Sequence, residues 1–382
     1  MSFTLDFTLK QHTPILHFQH DQPGATLRAT EVKPKLDKFI LETFQNIFPE
    51  SAALHKTAIA KIQSAFNDKM PSLYKIRITQ EPDKNTDYYY FESNIKSSER
   101  ETVPQVLQNQ FDRPTLKVVF PSPFFANADK REKGKWDEIR LGVFFYGDIF
   151  IQIRTWDDDI HKLLKEAVPL LFCVENFGMR QSKGFGSFSE KSVSIYKFEE
   201  VAQAAFVFTA KTKAPESQPH IFRTIDNVYK TLRYNNQEKY SALEKFLEGK
   251  ARLEKYKITQ EVVFEEPYTE DKNEPVRFIR SVLGLPGLHD YPNLRDKPKV
   301  NIRDVAGEVE RYKSPIMFKI FESNLYLLAT SVNEKMLQNR EFIFYVGENP
   351  DKTKRKVKIP TLKSFSIKTF LEKYTPTGWE TL

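Results

Sequence analysis

The chain has 382 residues, 40% hydrophobic, 13% aromatic and 29% charged, with a formal net charge of +7. Length and composition describe a globular protein with a real core, natural for two domains, and a pI near 9.0 favours an acidic partner, with nucleic acid first. A single cysteine, Cys173, excludes a disulfide framework and fits a reducing compartment. No run approaches the ~18 apolar residues of a membrane span. The N-terminus lacks the basic start and apolar core of a signal peptide, so a cytoplasmic protein is expected.

Phe3, Leu5, Phe7 and Leu9 alternate with polar residues, which predicts a half-buried strand ending near Thr13-Pro14. Thr30 is placed to cap a helix with Pro34 in its first turn and an apolar face of Leu36, Phe39, Ile40, Phe44 and Phe48. A second helix over 52–66 and a hairpin over 74–91 read as part of an insertion spanning 50–113. Strands are predicted over 116–120, 139–145 and 150–154. Asp157-Asp158-Asp159 caps an amphipathic helix to about Val174, in whose apolar run Cys173 is a core residue. A strand over 192–198 closes the first half.

With the insertion removed, the order is β-α-β-β-α-β, a ferredoxin-like, RRM-like unit. The second half repeats a diverged version: a strand over 204–211, helices over 221–234 and 240–253, and strands over 316–321, 326–331 and 341–346. The expected class is therefore α+β, two ferredoxin-like domains with helical and loop insertions, at 1–200 and 201–382.

Glycine is scarce, 13 residues in all, about half the usual ~7%. Three of them, Gly178, Gly184 and Gly186, fall within nine residues between the helix and strand that end the first half. Glycine allows positive φ and close approach of another backbone or a ligand. With Arg180 and Lys183 inside it, the loop reads either as a phosphate contact or as a turn with solvated cations.

Gly178-Met179-Arg180-Gln181-Ser182-Lys183-Gly184-Phe185-Gly186-Ser187 resembles the hallmark loop of the RAMP superfamily of CRISPR–Cas proteins, which is built from ferredoxin-like domains. Thr13-Pro14 and the segment Arg28 to Leu36 resemble that family's passage from first strand to first helix. Arg311-Tyr312-Lys313-Ser314-Pro315-Ile316-Met317-Phe318-Lys319, with Arg280 to Pro286 before it, is similar to the C-terminal half of the first subunit of Cmr-type (type III-B) effector complexes. The family commonly has Lys-Gly where Lys33-Pro34 stands; Pro34 offers no N–H to a phosphate, which leaves that contact to the Lys33 side chain.

The resemblance implies a CRISPR RNA-binding, non-catalytic subunit of a type III effector ribonucleoprotein in antiviral defence. Its implied partners are guide and target RNA and other RAMP subunits. The alternatives are an endoribonuclease of the same superfamily and a scaffold making only protein contacts. Candidate RNA-contacting residues are Arg28, Lys33, Lys35 and Lys38 at one helix entrance, and Arg180, Lys183, Gly184, Phe185 and Gly186 in the loop. Arg311 and Lys313 lie in the later segment. Cations at a helix N-terminus and in a Gly-rich turn supply phosphate affinity without reading sequence, and Phe185 and Phe188 read either as base-stacking or as core. A second basic run, Lys352 to Lys358, reads as a solvated hairpin turn.

Asp21 is the one weak catalytic candidate, because RNA-cleaving relatives carry an aspartate in this loop; the residues themselves favour an Asx-turn before Pro23-Gly24. His17 and His20 would point to opposite faces of a strand. His12, His55, His161, His220 and His289 are isolated, and no metal or nucleotide motif occurs, so neither metal nor cofactor is expected.

Overall fold

The computed structural model describes residues 2–16, 27–67, 73–80, 86–91, 116–119, 123, 141–233, 241–247, 282–284, 288–290, 299–305, 313–332, 341–346, 354–358 and 365–382. The chain forms two compact units. The first takes Met1–Asp226, Met317–Leu328 and Trp379–Leu382; the second takes Asn227–Ile316 and Ala329–Gly378. His17, His20, Asp21 and Arg311 lie outside the described residues.

In chain order the first unit begins with β1 (Phe3–Gln11), β2 (Ile15–Leu16), α1 (Ala29–Lys38), α2 (Lys56–Asn67), β3 (Tyr74–Gln80), β4 (Thr86–Phe91), β5 (Leu116–Val119), β6 (Gly142–Phe145) and β7 (Ile149–Thr155). It continues through α3 (Asp158–Val174), β8 (Phe188–Glu190), α4 (Ile195–Ala205) and β9 (Phe208–Lys213) into α5 (Gln218–Arg233). Then follow β10 (Leu288–Asp290), β11 (Lys299–Asp304), β12 (Ile316–Phe321), β13 (Asn324–Ala329), β14 (Glu341–Val346), β15 (Lys354–Lys358), α6 (Ile367–Tyr374) and β16 (Glu380–Thr381).

The fold is α+β with several antiparallel sheets. The first sheet has the order β3-β7-β1-β8, every pair antiparallel. A second, β2-β6-β4-β5, is antiparallel except for the β4–β5 pair. The third runs β12-β13-β9-β16. In the second unit β10-β11-β14-β15 form an antiparallel sheet, and Phe246, Phe365, Phe370 and Tyr374 pack ring to ring.

The core of the first unit lies between one face of the first sheet and its helices. Leu5, Leu9, Ile151 and Ile153 meet Leu36 of α1, Ile62 of α2 and Leu163, Leu164 and Leu171 of α3. α3 is set where Asp157 stops the preceding strand, its carboxylate accepting the N–H groups of Asp159 at 3.0 Å and Ile160 at 3.2 Å. Cys173 sits on its buried side, and burial pushes the thiol up to about 12.

Several local expectations are corrected. Tyr74–Gln80 and Thr86–Phe91 are not one hairpin: β3 pairs with β7 in the first sheet, whereas β4 pairs with β5 and β6 in the second. The predicted strand over 192–198 is instead the start of α4, capped by Ser194, whose hydroxyl accepts the Lys197 N–H. The fourth strand of that sheet is Phe188–Glu190. Thr30 does not cap α1; the helix begins at Ala29, with Arg28 in the extended cap position and Pro34 inside it. Within the basic run, Lys354–Lys358 is no turn but a strand paired to β14, and Lys352 and Thr353 lie outside the described residues. Among the described residues no helix is long and apolar enough to cross a membrane.

Candidate nucleic-acid interface

The Gly-rich segment leaves α3 at Glu175 and folds back under its own hydrogen bonds. Phe177 N–H donates to Gly186 O at 2.8 Å, Lys183 N–H to Arg180 O at 2.8 Å, and Gly184 N–H to Gln181 O at 3.1 Å. Gly178, Gly184 and Gly186 all have positive φ. A Cβ at Gly186 would stand 1.9 Å from Phe177 O, so glycine is required there by packing as well as by conformation. Arg180 also has positive φ, 55°, a region costing a residue with a Cβ roughly 1–2 kcal/mol.

Three neighbours hold the segment. Toward the first strands, Met179 N–H donates to Leu16 O at 2.8 Å, Gly186 N–H to Pro14 O at 2.9 Å, and the Thr13 hydroxyl to Gly184 O at 2.6 Å. Toward α1, the Glu31 carboxylate accepts the Gly178 N–H. The Lys35 ammonium meets Glu175 Oε2 at 2.7 Å, Asn176 O at 2.7 Å and Gln181 Oε1 at 2.8 Å. Toward β12, Lys183 bridges Phe318, and Ser187 Oγ donates to Ile320 O at 2.7 Å.

Beneath the loop lies a cation that the sequence reading passed over. Lys319 on β12 is fully buried and donates to Glu175 O at 2.9 Å, Asn176 Oδ1 at 3.2 Å and Phe188 O at 3.3 Å. Burial pulls its ammonium down to about 7. It binds the end of α3 to the start of β8. The available signal was its place in the strand pattern: Ile316 to Phe321 is otherwise apolar throughout.

The structure thus sorts the predicted contacts. The loop that carries Arg180 is hydrogen-bonded to α1, which Arg28 precedes in the cap position, and both arginines are half-exposed. Lys38 is exposed, with Glu42 at 3.6 Å. Lys33 is paired to Asp37 at 2.6 Å and lies 4.6 Å from the Tyr74 ring centre. Lys35 is occupied in fixing the loop. Lys183 is 9% exposed, and Phe185 is wholly buried, stacked on Phe222 at 4.1 Å with Phe91 at its edge. Its ring is core; so is Phe188. Gly184 and Gly186 shape the loop: a Cβ on Gly184 would lie 2.7 Å from Ile225. Lys313 is exposed in the second unit.

Three histidines, His12, His55 and His220, are engaged structurally. His12 is buried, sharing a 2.7 Å hydrogen bond with Ser189 Oγ, and burial lowers its pKa to about 3. His55 meets Glu166 at 3.0 Å, and His220 meets Ser217 at 2.7 Å. Among the described residues no three His, Cys, Asp or Glu side chains are spaced to hold a metal ion.

Two family models together match nearly the whole chain: the Cmr1 N-terminal domain at residues 2–235 and the Cmr1 C-terminal domain at residues 227–377. The chain belongs to the Cmr1 family. Among solved structures, Cmr1 from Pyrococcus furiosus in its apo form is 13% identical, covering 93% of this chain and 94% of that one with a TM-score of 0.37. A chain of the type III-B Cmr-beta complex bound to cognate target RNA is 12% identical with a TM-score of 0.29. That match covers 50% of this chain and 60% of the other. No curated protein matches. The later segment assigned to the Cmr1 C-terminal domain includes a buried arginine clamp, in which Arg233 donates to Leu283 O at 3.2 Å and Gly284 O at 3.0 Å.

Proposed function

We propose that this chain is an RNA-binding, non-catalytic subunit of a type III-B effector complex, holding CRISPR RNA and its target beside other RAMP subunits. The observation that carries the reading is the match of the Cmr1 N- and C-terminal domain models to residues 2–235 and 227–377. On this reading each half is a ferredoxin-like unit. The first is β1, α1, β3, β7, α3 and β8; the second is β9, α5, β12, β13, α6 and β16. In support, both sheets have the order second, third, first, fourth strand, as a split βαβ unit requires.

The RNA contacts at the loop are narrower than the sequence implies. Arg28 and Arg180 carry them, with Lys38 at the rim and Lys313 in the second unit. Lys35, Lys183, Lys319 and the glycines hold the loop rigid from behind. Arg180 in left-handed backbone supports this assignment, since strained residues cluster at functional sites. A fixed loop meets a phosphate backbone at little ordering cost.

Arg28→Ala combined with Arg180→Ala tests the reading. Affinity for single-stranded RNA should fall, and the slope of log affinity against log salt should shrink by roughly 0.7 for each lost phosphate contact. Unchanged affinity and slope would remove the loop from the RNA surface.

A further inference from the structure

The first sheet has a second face. Along β7, Ile149, Ile151 and Ile153 are buried while Phe150 and Arg154 are exposed; along β3, Lys75 and Arg77 are exposed. Register brings the exposed residues into rows. Arg154 lies between Thr4 and Lys75, Gln152 between Asp6 and Arg77, and Phe150 between Thr8 and Thr79. Neighbouring rows are about 6.8 Å apart and neighbouring strands about 4.8 Å. Lys10 extends the same face on β1, and Trp156, just beyond β7, has the Lys75 ammonium 5.8 Å from its ring centre.

The charges here differ from those at α1. Lys33, Lys35 and Lys38 each face a carboxylate. Among the described residues none lies within ion-pair distance of Lys10, Lys75, Arg77 or Arg154. The one acid on the face, Asp6, accepts from Gln152 at 3.1 Å. Two aromatic rings stand among these cations, Phe150 at 42% exposure and Trp156 at 61%. Exposed rings on a flat sheet suit bases that are free to stack, and cations one row away suit the phosphates between them. A duplex seals its bases from such rings.

We infer that this open face is a second RNA-contact surface, taking an unpaired RNA segment with Phe150 and Trp156 under bases and Lys10, Lys75, Arg77 and Arg154 on phosphates. The inference rests on the RNA-binding reading above but not on the Gly-rich loop.

Anisotropy of a labelled single-stranded oligouridine, titrated with the full chain over a salt series, tests it. Arg77→Ala with Arg154→Ala should weaken binding about tenfold and lower the salt slope by roughly 0.7 per contact. Phe150→Ala should weaken it at least about fivefold and Phe150→Tyr restore it, because the stacking surface returns. An RNA duplex of equal length should compete poorly. In unaltered protein, photo-crosslinks from thiouridine should fall on peptides holding Phe150 or Trp156, a readout independent of any variant's folding. Wild-type affinity in the sheet-face variants, with loss only in Arg28→Ala/Arg180→Ala, would overturn the inference and leave the wider reading standing. Absence of RNA binding by the unaltered chain would overturn both.

Discussion

Gly186 and Lys319 fix the loop from opposite sides, one by having no side chain and the other by burying a charged one. A methyl group at Gly186 would overlap the Phe177 carbonyl, so Gly186→Ala should cost at least about 3 kcal/mol. An unchanged denaturation midpoint would contradict the packing described. Lys319→Met keeps the volume but strands Glu175 O, Asn176 Oδ1 and Phe188 O. A loss of about 2–4 kcal/mol is expected, since orphaned buried acceptors lose more than the charge's burial costs. Equal or greater stability in urea unfolding would show the ammonium to be a net burden. His12 gives a signed pH dependence. Its folded pKa is about 3 against 6.5, so below pH 6.5 the unfolded chain takes up a proton that the folded one refuses. Stability is full above pH 6.5 and falls from there toward pH 3. His12→Gln should flatten this part of the stability–pH curve, and parallel curves for the two proteins would refute it.

At the scale of elements, legibility followed locality. β1, α3, β12 and β14 were readable because the signal is local to each: alternation in β1, a cap in α3, and short apolar runs in β12 and β14. β3 was not: its partner β7 is some seventy residues away, and the short polar stretch before β4 mimics a hairpin turn. α4 was misread although Ser194 stands as its cap and Phe198, Val201 and Ala202 recur at helical spacing. The loop's position was legible from glycine alone, but its burial was not, because that depends on β12, which lies more than a hundred residues further on. Two of the α1 pairings were in plain sight, Lys33–Asp37 and Lys38–Glu42 at i,i+4. The tie between α1 and the loop gives a further expectation. Lys35→Ala should lower stability by about 1–3 kcal/mol through its three lost partners, and RNA affinity measured well below the unfolding transition should change far less than for Arg180→Ala. Equal effects of the two on affinity would place Lys35 in the RNA surface after all.

Across the whole molecule the net charge is +7. Among the described residues some cations are paired off to build the first unit, while Lys10, Lys75, Arg77 and Arg154 stand on the sheet face with no carboxylate within ion-pair distance. On the proposed function the chain binds RNA and does not cut it. Labelled single-stranded RNA incubated with the purified full chain, with and without magnesium, separates binding from cleavage. Retarded RNA of unaltered length under both conditions is the result predicted. Shortened RNA that disappears with Asp21→Ala while binding persists, or no retardation at all, would contradict it.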